Sequence, residues 1–259
     1  MDITAKIETL KDMIMSSKRI AFLGGAGVST ESGIPDFRSE NGYFEAIRRF
    51  GYPPEELLSH TFFMRHTDVF YKYYRSALMV TGIKPNRAHY ALAKLERALR
   101  LTAVVTQNID GLHQLAGSKS VYELHGSIYR NHCMECGKSY TGEQLKDMPN
   151  VPICSCGGVI KPDVVLYEEG LDADTLRAAI THITRADMLI VGGTSLNVYP
   201  ASGLIDYYKG NKLALINKSE TPYDYRADLI INDSQDKVPR VNVILTKEEV
   251  RKLSEDLGV

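Results

Sequence analysis

A glycine-rich turn follows the first short apolar run of the chain. Residues 20–23 are apolar, and residues 24–27 read Gly-Gly-Ala-Gly. Glycines between a strand and a helix let the backbone approach a pyrophosphate, whose charge is met by N–H groups at the helix N-terminus. The turn therefore predicts nucleotide binding. Thr30 occupies the place of the third glycine of the dinucleotide fingerprint, so a tight structural turn is the alternative on this signal alone.

Polar side chains also stand where two later apolar runs end. Gln107, Asn108 and Asp110 follow one run, and His125 follows the next. Open α/β sheets bind their ligands at the carboxyl ends of strands, and three amide or acid groups exceed what a turn requires. The pattern indicates a ligand site, although a single histidine is by itself more often a structural residue.

A short segment after the glycine turn combines an acid, a ring and a cation, at Asp36, Phe37 and Arg38. These three side chains suit a lid that closes over a bound nucleotide. A solvated loop with one buried phenylalanine is the alternative.

All four cysteines lie in one short segment, as the pairs Cys133 and Cys136, then Cys154 and Cys156. Paired thiols with a glycine after each pair are typical of knuckles that wrap tetrahedral zinc. Four thiolates leave no open coordination position, so we expect one structural zinc ion that stabilises a module with little apolar core. Only one residue separates the second pair, and His132 is the alternative ligand.

Short apolar runs alternate with helical patterns along most of the chain. The runs that predict strands are 20–23, 101–106, 121–124, 164–167, 188–191, 213–216 and 241–245. Most are continuous, as in strands buried on both faces, and helices are expected after the caps Asn86, Asp172 and Thr246. The alternation predicts an α/β fold with a Rossmann-like, doubly wound parallel sheet.

Two segments interrupt the alternation. Residues 41–82 are rich in Phe, Tyr and Arg and predict helices and loops, and residues 129–158 hold the cysteines. We expect the two to pack together as a smaller domain, a helical insertion with a zinc module. Residues 1–40, 83–128 and 159–259 would form the nucleotide-binding, Rossmann-like domain.

Composition argues against several classes of protein. Lys and Arg total 31 against 32 Asp and Glu, which leaves a formal net charge of −1 and no bulk attraction to nucleic acid or anionic lipid. The longest apolar runs are about five residues, against about 20 for a membrane span. The N-terminal residues read as an amphipathic helix and not as a signal peptide. We expect a cytoplasmic protein with no nucleic-acid or membrane partner.

Taken together, these residues resemble the sirtuin (Sir2) family of NAD-dependent protein deacylases, in particular its bacterial members. The segments that carry the resemblance are 24–38, 107–110, 125–126, the four cysteines and 193–196. The likeness covers nearly the whole chain. It implies NAD as co-substrate, one structural zinc ion and acylated-lysine proteins or peptides as substrates, and we expect a monomer.

The resemblance also implies individual roles. His125 and Asn108 are the implied catalytic residues, with His125 as the general base that deprotonates a ribose hydroxyl; Asp110 would hold the nicotinamide carboxamide. The implied NAD contacts are Gly25, Ala26, Gly27, Thr30, Asp36, Phe37, Arg38, Gln107, Asn108, Ile109, Asp110, His125, Gly193, Thr194, Ser195, Asn217 and Lys218. The products would be free lysine, nicotinamide and O-acetyl-ADP-ribose.

Substrate contacts are implied on two further segments. Val164, Val165 and Tyr167 match the family segment that pairs with the substrate peptide, although Tyr-Glu-Glu at 167–169 replaces the family's usual Phe-Gly-Glu.

Tyr71 and Tyr74 occupy the places where sirtuins that remove succinyl or malonyl groups carry a tyrosine and an arginine. A phenol cannot neutralise an acyl carboxylate, so acetyl and other uncharged groups are favoured. Arg75, one place along, is the residue that would reverse this preference.

Several alternatives remain open at this point. An oxidoreductase would use a similar glycine turn, but the dinucleotide fingerprint is incomplete. A zinc-ribbon nucleic-acid binder would need more basic residues near the cysteines. Within the family, removal of succinyl, malonyl or longer acyl groups and protein mono-ADP-ribosylation begin with the same cleavage of NAD.

Overall fold

The computed structural model describes residues 2–35, 40–79 and 82–232. The lid residues Asp36, Phe37 and Arg38 lie outside the described residues. So do the predicted strand 241–245 and the helix expected after Thr246.

Helices and strands alternate along the described chain. The helices are α1 (Ile3–Met15), α2 (Glu40–Phe50), α3 (Pro54–Leu57), α4 (His60–Arg65), α5 (Thr67–Ala77), α6 (Arg87–Arg97), α7 (Leu112–Leu115), α8 (Gly142–Lys146) and α9 (Ala173–Arg185). The strands are β1 (Ile20–Gly24), β2 (Leu101–Thr106), β3 (Val121–Glu123), β4 (Gly126–Cys133), β5 (Ser139–Thr141), β6 (Ile160–Val164), β7 (Met188–Gly192), β8 (Leu213–Asn217) and β9 (Leu229–Asn232). Among the described residues, no helix has the length and apolar character that crossing a bilayer requires.

Six strands form one parallel sheet in the order β3-β2-β1-β7-β8-β9, which confirms the predicted fold class. The chain first builds outward from β1 through β2 to β3, and then returns to the other side of β1 with β7. The order therefore reverses between β1 and β7, and parallel α/β sheets bind ligands at such a reversal.

The central strands are apolar on both faces because helices cover both. Ile20 and Phe22 of β1 pack with residues of α1 and α6, whereas Ala21 and Leu23 pack with residues of α9 and of the 3-10 segment Ala201–Tyr207. This two-sided burial explains why these strands appear in the sequence as continuous apolar runs.

Two helix starts follow the predicted caps. The Asn86 side chain accepts hydrogen bonds from the N–H groups of Ala88 and His89 at the start of α6, and Asp172 accepts from Thr175 at the start of α9.

A second, antiparallel sheet has the order β5-β4-β6 and carries the first cysteine at the end of β4. Residues of α2 to α5 form an aromatic core that also includes Ile128, Val164 and Leu166. The helical insertion thus packs directly on the cysteine-bearing sheet. Strand β6 pairs with β4 in this small sheet, although the division by sequence assigned residues from 159 onward to the large domain.

One of the strand predictions requires correction, and one strand of the large sheet was missed. Of the run 164–167 only Val164 lies in a named strand, β6; Tyr167 instead forms an isolated bridge with Ser59. Strand β9 has only three consecutive apolar residues and was not predicted. Its place at the sheet edge comes from pairing with β8, which is a long-range contact.

Candidate active site

A cleft opens between the carboxyl ends of the large sheet and the small domain. Its volume is about 1470 Å³ when the part open to solvent is included. Predicted site residues that line it are Ala26, Gln107, Asn108, Ile109, Asp110, His125, Val164, Val165 and Tyr167. The structure thus brings together residues from four segments that are far apart in sequence.

The glycine turn after β1 is bonded to the loop after β7. The N–H of Gly27 donates to the Gly193 carbonyl oxygen over 2.8 Å, and a Cβ at Gly27 would lie 2.8 Å from the Cα of Gly193. Gly193 itself has a φ of +60°. Glycine is required at both positions because the two backbones touch at the point where the strand order reverses.

Asn217, at the end of β8, holds the neighbouring loop. Its Oδ1 accepts from the N–H of Thr194 over 3.0 Å, and its Nδ2 donates to the carbonyl oxygen of the same residue over 2.7 Å. The Thr194 hydroxyl in turn accepts from Nε2 of Gln107 over 3.0 Å. Ser195 and Lys218 are both exposed. In the glycine turn, the Thr30 hydroxyl donates to the Gly27 carbonyl.

Ser29, which was not among the predicted site residues, connects the glycine turn to the strand end of β2. Its hydroxyl donates to Oδ2 of Asp110 over 2.6 Å and accepts from Nδ2 of Asn108 over 3.0 Å. The other carboxylate oxygen of Asp110 accepts from the N–H of Leu112. Ser29 is buried and therefore fixes the orientation of both predicted nicotinamide-pocket residues. The sequence signal for this residue was its place two positions after Gly27.

Hydrogen bonds of the ring and of the backbone hold His125 in place. Its Nδ1 lies 2.9 Å from the Gln107 carbonyl oxygen, and its own carbonyl oxygen accepts from the N–H of Val165 over 3.0 Å. The next residue, Gly126, has a φ of +76°, and a Cβ there would lie 1.9 Å from the Asp163 carbonyl oxygen. Because a carbonyl only accepts, Nδ1 carries the proton of the neutral ring and Nε2 carries the lone pair.

The four cysteines of the small domain converge on one point. The sulfur atoms of Cys133, Cys136, Cys154 and Cys156 all lie within 4.8 Å of one another. Four thiolates at this spacing fit a single tetrahedral zinc ion, and the group forms without His132. The Tyr140 hydroxyl donates to the sulfur of Cys154 over 3.0 Å, and this hydrogen bond orients the thiolate as a metal ligand.

The structure does not bring Tyr71 and Tyr74 to the cleft. Both are fully buried in the aromatic core of the helical insertion, where the Tyr71 hydroxyl donates to the Ile160 carbonyl. Desolvation by burial raises the pKa of both phenols. Their spacing on α5 directs them into this core, so they support the wall behind the cleft and do not line it.

Arg75 is also engaged away from the cleft. Its guanidinium donates to the carbonyl oxygens of Leu145, Pro149 and Asn150, over 2.8, 2.9 and 3.2 Å. It ties α5 to the segment that follows α8.

Fold and site together define a class: a parallel α/β protein with a ligand cleft at the reversal of strand order and a four-cysteine zinc module. Residues 25–200 match the model of the Sir2 family. The chain is 61% identical over 235 residues to an NAD-dependent protein deacetylase of Clostridium acetobutylicum, covering 90% of this chain and 96% of the relative.

Solved Sir2 structures agree with this match. A complex described as Sir2, p53 peptide and NAD⁺ superimposes with a TM-score of 0.78 at 39% identity, covering 97% of this chain and 98% of that one. A Sir2 complex with an inhibitor, 2′-O-acetyl-ADP-ribose and a deacetylated p53 peptide gives 0.77 at 38% identity, covering 97% and 99%. The chain belongs to the Sir2 family.

Proposed function

We propose that this chain is an NAD-dependent protein deacetylase that transfers the acetyl group of an acetylated lysine to ADP-ribose. The observation that carries the proposal is the convergence of the glycine turn, Asn108, Asp110 and His125 on one cleft. A relative with 61% identity is named an NAD-dependent protein deacetylase, and a Sir2 structural neighbour contains 2′-O-acetyl-ADP-ribose beside a deacetylated peptide. The reaction consumes one water molecule, and the products are free lysine, nicotinamide and O-acetyl-ADP-ribose.

When bound, NAD supplies an electrophilic ribose carbon as nicotinamide leaves, and its ribose accepts the acetyl group. His125 acts as the general base: its Nε2 takes a proton from a ribose hydroxyl while Nδ1 stays bonded to the Gln107 carbonyl. That carbonyl also stabilises the protonated ring, because Nδ1–H remains its donor throughout. An imidazole suits this step because its ordinary pKa lies near neutral pH.

Asn108 and Asp110 form the polar wall of the nicotinamide pocket. The Ser29 hydroxyl accepts a hydrogen bond from Nδ2 of Asn108 and donates one to Oδ2 of Asp110, so both side chains are positioned before any ligand arrives. Prepositioned polar groups lose little free energy to reorganisation when charge develops in the transition state.

Apolar side chains also line the cleft. Leu58, Ile109, Ile128, Val164 and Leu166 all line the cleft. An apolar lining protects an activated sugar from hydrolysis, which would consume NAD without removing an acetyl group.

The pyrophosphate would lie at the turn formed by Gly25, Ala26 and Gly27. The loop of Gly193, Thr194 and Ser195, together with Asn217 and Lys218, would contact the ribose and phosphates from the other half of the sheet. Thr30 and the lid residues Asp36, Phe37 and Arg38 complete the proposed NAD contacts. The touching backbones of Gly27 and Gly193 support this placement, since they leave a surface free of side chains at the reversal of strand order.

The zinc ion would be held by Cys133, Cys136, Cys154 and Cys156 and would have a structural role. A four-thiolate site has no position for substrate, and the buried side chains around it form a small cluster of their own. The ion fixes the sheet β5-β4-β6, from which Val164 reaches the cleft.

Acetylated-lysine proteins or peptides are the proposed substrates, and Val164, Val165 and Tyr167 are the proposed peptide contacts. The described cleft lining contains no lysine or arginine, and Arg75 is bonded elsewhere. This arrangement supports preference for an uncharged acyl group over succinyl or malonyl. We further propose that the protein acts as a cytoplasmic monomer. In this proposal residues 41–82 and 129–158 form the small domain, and residues 1–40, 83–128 and 159–259 form the NAD-binding domain.

Incubation of an acetyl-lysine peptide with and without NAD, followed by mass spectrometry, tests the activity. We expect O-acetyl-ADP-ribose and deacetylated peptide only with NAD, and slower release of free lysine from the succinyl version of the same peptide. His125→Ala should reduce turnover at least 100-fold with an unchanged melting temperature, while the exposed His66→Ala should match the unsubstituted chain.

Each contrary result has a specific meaning. ADP-ribosylated protein without deacetylation would indicate transfer of ADP-ribose instead, and NADH absorbance would indicate an oxidoreductase. Full turnover by folded His125→Ala would remove this residue from the mechanism.

A further inference from the structure

Glu168, at the rim of the cleft, has a backbone conformation that L-amino acids rarely adopt. Its φ is +77°, and it lines the cleft with its side chain exposed. A left-handed conformation disfavours any residue with a Cβ, and such residues concentrate at functional sites. The resemblance to sirtuins places a glycine at this position, which would adopt the conformation without strain. A side chain retained here at a cost in stability calls for a function.

The side chain is held in one place by the helix beside it. One carboxylate oxygen, Oε2, accepts hydrogen bonds from the N–H and the hydroxyl of Thr61, over 2.9 and 2.7 Å. These bonds lower the pKa of Glu168, with smaller contributions from His60 and Arg65. The group is therefore a carboxylate at neutral pH, in a defined position at the edge of the cleft.

The neighbouring carboxylate, Glu169, has a different environment. It accepts from the ammonium group of Lys161 over 3.1 Å, from the Leu166 N–H over 2.9 Å, and contacts Nδ1 of His60 at 2.9 Å. Lys161 is buried, so this charge is compensated inside the protein. Within the described residues Glu168 forms no ion pair, and its negative charge faces the rim.

The backbone next to Glu168 is already fixed. The Tyr167 N–H donates to the Leu58 carbonyl and its carbonyl oxygen accepts from the His60 N–H, over 2.9 and 3.0 Å. Because Glu168 follows Tyr167 directly and lines the same cleft, a peptide that contacts Val164, Val165 and Tyr167 would pass the Glu168 carboxylate with the residues that flank its modified lysine.

We propose that Glu168 determines peptide specificity, favouring substrates with lysine or arginine beside the acetylated lysine and disfavouring those with acidic residues there. The inference rests on the proposed deacetylase function. Two unit charges about 5 Å apart in a water-like environment change affinity about fourfold, so exchange of a basic for an acidic neighbour should change it about 16-fold without screening and about tenfold with the screening present at low salt. Salt screens the effect at an exposed site.

Three acetyl-lysine peptides test the proposal, identical except for arginine, glutamine or glutamate at the positions flanking the modified lysine. Peptide affinity is measured by fluorescence anisotropy without NAD, and kcat/KM is measured with NAD, at low salt and in 0.5 M NaCl. Glu168→Gln removes the charge while its amide oxygen can still accept from Thr61. Glu8→Gln, at an exposed position of α1, is the charge-matched control.

We expect the unsubstituted chain and Glu8→Gln to prefer the arginine peptide over the glutamate peptide about tenfold at low salt, and less in 0.5 M NaCl. In Glu168→Gln the ratio should fall to within about twofold. Two results would refute the role of Glu168 and leave the proposed function standing. One is deacetylation with equal affinity for all three peptides, and the other is an arginine-to-glutamate affinity ratio that does not change in Glu168→Gln. Charge-dependent binding without deacetylation would refute the proposed function and leave the role of Glu168 standing.

Discussion

Two imidazoles are buried against each other behind the strand ends that form the cleft. His89 of α6 and His113 of α7 have ring centroids 4.7 Å apart, and their exposures are 0% and 1%. Desolvation by burial lowers the pKa of His113 to about 3, with a further lowering by His89. Burial also lowers the pKa of His89, partly opposed by the carboxylate of Asp110. Both rings are neutral in the folded protein near pH 7.

The pKa of His113 makes stability depend on pH with a defined sign. Its folded-state pKa lies below the unfolded value of about 6.5, so only the unfolded chain takes up a proton as the pH falls from about 6.5 to 3. The free energy of unfolding therefore decreases with acidification. Between pH 7.5 and pH 5.0 this single group accounts for a loss of about 2 kcal/mol, and His89 acts in the same direction.

Urea unfolding at pH 7.5 and at pH 5.0 measures this loss, with fluorescence and circular dichroism as probes. The informative comparison is His113→Leu, which removes the titrating group and places an apolar side chain beside the rings of Phe22 and His89. We expect its loss between the two pH values to be about 2 kcal/mol smaller than that of the unsubstituted chain, whatever its stability at pH 7.5.

His66→Gln, at an exposed histidine, controls for the loss of a histidine as such and should leave the pH dependence unchanged. An equal pH dependence in His113→Leu and the unsubstituted chain would refute the reasoning. It would mean that the His113 ring is charged or solvated in the folded state.

Two further perturbations test the site and the zinc module. Ser29→Ala removes the hydrogen bonds that the Ser29 hydroxyl makes with Oδ2 of Asp110 and Nδ2 of Asn108, so kcat/KM should fall 10- to 100-fold. Ser76→Ala is the control, because the Ser76 hydroxyl donates to the Tyr73 carbonyl of its own helix, and it should leave kcat/KM unchanged. Unchanged activity in Ser29→Ala would exclude a positioning role. Removal of zinc by a chelator should unfold the module around the four cysteines and abolish activity. Near-UV circular dichroism and peptide turnover measure the two effects, with metal analysis in parallel. Full activity after proven metal loss would contradict a structural role.

Local patterns in the sequence were sufficient for most of the large sheet. Strands such as β1 and β7 are buried on both faces, so each appears as an uninterrupted apolar run that needs no knowledge of its neighbours. The helix caps Asn86 and Asp172 could also be predicted from local sequence, because a cap bonds to residues only two or three places along the chain.

Features that depend on distant partners were missed or misassigned. Strand β9 is defined by its pairing with β8, and Ser29 by contacts with residues about 80 positions away. Tyr71 and Tyr74 were expected at the substrate because the resemblance to sirtuins places an acyl-binding pair at these positions. Spacing cannot show which face of α5 meets solvent, and the structure turns both rings into the core.

Residue types and their order along the chain determined the α/β class, the cysteine group and the polar residues at the strand ends, because each is a local property of the backbone or of side-chain chemistry. Tertiary structure alone decided that the turn at Gly27 touches the loop at Gly193, that Asn217 clamps Thr194 and that Glu168 faces the cleft in a left-handed conformation. These are contacts between segments many residues apart. Their geometry follows from strand order and domain packing, which no short stretch of sequence contains.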